Sequence, residues 1–159
     1  MRFNIVRAAG FAAFACLSAA SAPAGPLPGL KIAGMEGQCT RLVTRGEDRT
    51  AKCDPLLLNN IYDNGRSSFL FFTQNKEAIV SFLGNDSKAQ GDTGTLKVTQ
   101  VYMTGFDGKP VPHEMGATGS CTYTNPYKGV ARVDCKAGSG DNQFEASFVS
   151  NGQPPNVFG

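Results

Sequence analysis

Apolar positions along this chain follow two rhythms, and the change between them divides it. Ala8 to Ala20 is an uncharged run of Ala, Phe, Leu, Cys, Gly and Ser, preceded by Arg2 and Arg7 and followed by Ser21-Ala22-Pro23-Ala24-Gly25. A basic start, a short apolar run and a small-x-small site make the pattern of a cleavable secretory signal. The run is shorter than the roughly 20 residues a spanning helix needs, and it lacks the polar face of an amphipathic core helix. Cleavage is expected after Ala24, because a cut after Ala22 would put Pro23 at the scissile bond. Lipid attachment at Cys16 is disfavoured, since Ala13-Phe14-Ala15 fits an aliphatic lipobox poorly.

Past residue 37 the period falls to two, the spacing of half-buried strands. Gln38 to Thr44 and Arg49 to Cys53 predict a hairpin with Gly46 at its bend. Leu56 to Tyr62 and Arg66 to Thr73 flank Asp63-Asn64-Gly65, and Asn-Gly between apolar runs is a strong hairpin signal. Ala78 to Leu83 predicts a further strand. Leu96 to Thr104 alternates, with Leu96, Val98, Gln100 and Tyr102 on one side and Lys97, Thr99, Val101 and Met103 on the other. Ala117 to Thr124 and Val130 to Lys136 predict another hairpin, and Gln143 to Ser150 places Phe144, Ala146 and Phe148 on one face. Residues 25–37 read as an extended lead-in, 84–94 and 105–116 as connections, and 151–159 as a tail. Eight or nine short strands with no convincing run of helical spacing predict one all-β domain over 38–150, a single antiparallel β-sandwich or small β-barrel.

Cysteine spacing adds a covalent frame. Loss of residues 1–24 removes Cys16 and leaves Cys39, Cys53, Cys121 and Cys135. An even set in an exported chain reads as disulfides. Cys39 and Cys53 are separated by 13 residues, as are Cys121 and Cys135, and Gly37-Gln38-Cys39-Thr40 resembles Gly119-Ser120-Cys121-Thr122. Local pairing, Cys39 with Cys53 and Cys121 with Cys135, therefore predicts two clamped hairpins. In the second, Tyr123 faces Val133 and Pro126 to Val130 make the turn; in the first, Arg41 faces Ala51. Structural zinc sites favour cysteines two to four apart, which these are not, so no metal is expected.

Composition narrows the function classes. The chain carries 15 Lys and Arg against 13 Asp and Glu, and removal of Arg2 and Arg7 makes these equal. A neutral domain of 135 residues without a basic cluster argues against nucleic acid and against a polybasic membrane contact. No later segment has 18 consecutive apolar residues, so the processed chain is not expected to be an integral membrane protein. His113, beside Glu114, is the only histidine. No partner for it is evident, and there is no nucleophile elbow, phosphate loop or dinucleotide fingerprint. Asp86, Asp92, Asp107 and Asp141 fall in Gly-containing loops without the spacing of a calcium loop. No catalytic residue and no cofactor is assigned.

Phe69, Leu70, Phe71 and Phe72 form the greasiest stretch after the signal. As a strand it is apolar on both faces, which suits a central buried strand. The sharper alternative makes Phe69, Phe71 and Phe72 part of an apolar ligand pocket or partner surface. The expected function is a noncatalytic periplasmic or extracellular binding module for a protein or cell-envelope component. The alternatives are a small-barrel carrier of an apolar ligand and a small secreted hydrolase.

Overall fold

A strand with one apolar face cannot be stable alone, and successive strands of that kind bury their apolar faces when the sheet closes on itself. The computed structural model describes residues 29–74, 78–87, 91–105 and 113–159. The N-terminal apolar run, and with it the expected signal over 1–24, lies outside the described residues. The strands are β1 (Leu30–Thr44), β2 (Glu47–Asp48), β3 (Cys53–Tyr62), β4 (Arg66–Thr73), β5 (Ile79–Asp86), β6 (Thr93–Thr104), β7 (His113–Thr124), β8 (Arg132–Ser139), β9 (Asn142–Ser150) and β10 (Asn156–Phe158). Each of β1, β3 and β4 to β9 pairs antiparallel with the next, and β9 returns to β1, closing an eight-stranded barrel. The choice between sandwich and barrel resolves to the barrel. Among the described residues no helix is long and apolar enough to cross a membrane.

β1 begins at Leu30, so residues 30–37 belong to the barrel wall. Met35, opposite Leu57 on β3, is buried there. One edge of β1 is shared: Ile32 to Gly34 pair with β10, and from Gly37 onward the strand pairs with β9. The tail thus contributes a strand of its own. The first hairpin is tighter than its spacing predicts, because Arg45 and Gly46 both adopt positive φ and return the chain as β2, the two-residue turn favoured by strand twist. The Asp48 carboxylate accepts the Thr50 amide at 2.8 Å, which turns Thr50–Lys52 into a 3-10 segment instead of a strand. Hydrogen bonds from Thr50 hold that carboxyl below its ordinary range. Ala51 falls inside this 3-10 segment, and Arg41 lies opposite Ser147 on β9 instead.

Leu42, Leu57, Phe71, Phe82, Phe144 and Phe148 fill the interior, each no more than 1 % exposed. Phe71 and Phe82 meet edge-on with ring centroids 5.9 Å apart. The alternation read from β9 holds, with Phe144, Ala146 and Phe148 buried, and β8 alternates in the same way through Val133, Cys135 and Ala137. In β6 it breaks. A bulge between Val98 and Gln100 shifts the register, so the buried set is Leu96, Val98, Val101 and Met103, and Gln100 and Tyr102 share the other side. One extra residue flips every later side chain. β4 is buried on both faces over most of its length: Phe69 and Phe71 are core residues, while Phe72 points outward and is also buried.

Candidate binding surface at one end of the barrel

The β3–β4, β5–β6 and β7–β8 connections and the start of β1 gather at one barrel end. Backbone hydrogen bonds join them: Asp63 N to Gly29 O at 3.1 Å, Asp86 N to Gly65 O at 3.0 Å, and Asn125 N to Asp92 O at 2.8 Å. Just inside this end, the Tyr123 hydroxyl donates to Asp86 Oδ1 at 2.6 Å, and the ring leans on Phe69 with centroids 5.3 Å apart. Gly94 lies under the ring, where a Cβ would come within 2.2 Å of Tyr123 Cζ. Burial first, and then the bond to Asp86, push the Tyr123 hydroxyl far above its ordinary pKa. The group is therefore a neutral donor under ordinary conditions. Asp86 is not a loop residue but the last residue of β5, held by that hydroxyl. Beside it, Asn59 Nδ2 donates to Ser67 Oγ at 2.8 Å, and Ser67 Oγ donates to Asn60 O at 3.0 Å. Polar groups inside this mouth are thus satisfied by one another.

The β7–β8 connection forms the rim. Pro126 fixes φ at the start of a 3-10 turn over Pro126–Lys128. The Asn125 side chain accepts the Tyr127 amide at 3.0 Å, and Lys128 Nζ reaches Asp92 Oδ1 at 2.6 Å. At the far side, Ala131 N donates to Ser150 Oγ, while Ser150 N donates to Ala131 O, both at 2.8 Å. The loop is anchored at both ends, and in its middle it holds Tyr127 and Val130 outward, 63 % and 57 % exposed. The other exposed large apolar side chains among the described residues, Ile61, Val157 and Phe158, lie near the same end. Ile61 is one residue from the end of β3, and β10 pairs with the first part of β1.

The residues singled out from sequence are not brought together. Phe69 and Phe71 point into the barrel and Phe72 out of it. Cys39 is bonded to Cys53 and Cys121 to Cys135. His113 opens β7 opposite Met103, at the other barrel end from Tyr123, and the neighbouring Glu114 accepts a hydrogen bond from Gln100. Tyr102, close to Glu114, has its hydroxyl raised by burial and then by that carboxylate. Asp92 holds Lys128, and Asp107 lies outside the described residues. Among the described residues no three potential metal ligands cluster. Tyr127 and Val130 were legible only as parts of a turn; the signal was an aromatic and a branched aliphatic side chain where turn chemistry asks for neither. No protein-family model, curated protein or solved structure matches this chain.

Proposed function

We propose that this chain is an exported, noncatalytic binding module, in which the disulfide-stapled barrel is the scaffold and the end bearing Tyr127 and Val130 contacts a protein or cell-envelope component. The observation that carries it is the gathering of exposed large apolar side chains at one end, with Tyr127 on a loop anchored at both of its ends. A preorganised aromatic anchor loses little entropy on binding, which is why such residues dominate interface energies. Two disulfides fit an oxidising compartment. The small net charge of +2 for the whole chain supports a partner other than nucleic acid.

Quantitative capture of partners from a cell-envelope extract tests the proposal. Tyr127→Ala is expected to weaken capture about tenfold, while Lys97→Ala, at an exposed position on β6, leaves it unchanged. Equal capture by both variants would remove this end from the interaction. Native mass spectrometry addresses the carrier alternative: the mass of the chain alone is expected, and a retained apolar ligand would favour the carrier.

A further inference from the structure

The two disulfides differ in what guards them. Cys121 and Cys135 sit directly opposite each other in the β7–β8 ladder and are 0 % and 1 % exposed. Cys39 and Cys53 are only partly buried. The β1–β3 ladder that could shield them runs from Leu30 opposite Tyr62 to Glu36 opposite Leu56 and stops there. Beyond that point β1 continues against β9, and between Cys53 and Leu57 the pairing of β3 with β4 is also irregular. The Cys39–Cys53 bond, packed against the edge of the core, therefore joins β1 to β3 where their ladder has ended. Next to it opens a depression of about 400 Å³ lined by Glu36, Gly37, Asp54, Pro55, Leu56 and Asn151. Its lining includes the residue after Cys53 and a residue two before Cys39.

We propose that Cys39–Cys53 is a thiol–disulfide exchange site for a dithiol reductant, reached at its partly exposed side beside this depression while the barrel stays folded, and that Cys121–Cys135 is closed to the same reagent. A reductant thiolate attacks one sulfur of the bridge, the S–S bond breaks, and the other cysteine leaves as a thiolate that takes up a proton. The second thiol of the reductant, losing its proton, then attacks the reductant's own sulfur in the mixed disulfide, and the remaining protein cysteine leaves as a thiolate that is protonated in turn. The protein gains two thiols and two electrons, and the reductant becomes a disulfide. Reduction removes the covalent tie between β1 and β3 past Glu36 and Leu56, while the ladders of the barrel stay paired.

The test uses the oxidised full chain without denaturant. Free thiols are first capped with one alkylating reagent; graded dithiothreitol is then added, and newly formed thiols are trapped with a second reagent and mapped by peptide mass spectrometry. Cys39 and Cys53 are expected to take the second label at concentrations that leave Cys121 and Cys135 bonded, at a rate proportional to reductant, with the far-ultraviolet circular dichroism of the barrel retained. Simultaneous labelling of all four cysteines, or a rate that levels off at the rate of global unfolding, would overturn the proposal. So would labelling of Cys121 and Cys135 first.

Discussion

Two segments of this chain share a spacing and a local sequence yet occupy different positions in the barrel. Gly119-Ser120-Cys121-Thr122 leads into a hairpin whose disulfide joins directly paired residues in the core. Gly37-Gln38-Cys39-Thr40 leads into a strand whose neighbour at that point is β9, and its disulfide reaches sideways to β3. The common Gly has one cause in both places. A Cβ at Gly119 would lie 2.0 Å from Lys136 O, and one at Gly37 would lie 2.1 Å from Val149 O. The repeated motif therefore marks a close approach of neighbouring backbones, and the partner strand is decided elsewhere. The loop between Cys121 and Cys135 carries Tyr127 and Val130, so the buried bridge braces the proposed binding surface; the other bridge joins β1 to β3 where their ladder has ended.

Removal of each bridge should expose this difference most strongly. Both close loops of the same length, with a sequence separation of 14, so chain entropy alone assigns each about 3 kcal/mol. Cys121→Ala with Cys135→Ala also leaves a void in the core and should cost about 4 kcal/mol in urea unfolding. Cys39→Ala with Cys53→Ala should stay near about 3 kcal/mol. Equal losses would mean that burial adds nothing to the second bridge. The motif glycines sharpen the other half of the comparison: Gly37→Ala and Gly119→Ala should each destabilise by about 2 kcal/mol or more through overpacking against a carbonyl. Tolerance of either would dissolve the common cause.

A smaller effect belongs to Tyr123, two residues past Cys121. Tyr123→Phe removes the bond to Asp86 and should cost about 1 kcal/mol at neutral pH. Because the folded hydroxyl titrates above its ordinary value of 10.0, its contribution is complete below about pH 10 and is lost as pH rises through the folded pKa. The stability of the parent chain should fall more steeply above about pH 10 than that of the variant, as followed by urea unfolding across the alkaline range. The least effect is expected at Glu145 on β9, which binds both Arg41, near the first bridge, and Lys136, beside the second. Arg41, chiefly through its hydrogen bond, holds that carboxyl below its ordinary value, so the benefit is present at neutral pH and is lost only as pH falls through the lowered pKa. Glu145→Gln should change neutral-pH stability by no more than about 0.5 kcal/mol, the range of exposed ion pairs.

What was legible in the sequence was whatever is local. The alternation in β9, the turn at Asn64-Gly65 and the pairing of Cys121 with Cys135 and Tyr123 with Val133 follow from residues within a single strand or hairpin, no more than 14 positions apart. What was not legible depends on distant chain. The contact of β1 with β9 decides that the sheet closes and draws Arg41 to Ser147, and nothing near Arg41 encodes it. The bulge after Val98 is a single-residue event inside a strand that otherwise alternates, so simple alternation puts Val101 and Met103 opposite Leu96 while the fold buries all three. Asp86 reads as a loop acid until Tyr123, 37 positions away, supplies its donor. Tyr127 is hidden for a related reason: Asn125, Pro126 and Gly129 announce a turn, and only the fold shows what that turn displays.

The most direct test of a braced loop presenting Tyr127 is backbone ¹⁵N relaxation of the oxidised protein. Order parameters for Tyr127 to Val130 should match those of β7 and β8, near about 0.85. Values under about 0.6 confined to these residues would show a loose loop and contradict the preorganised surface.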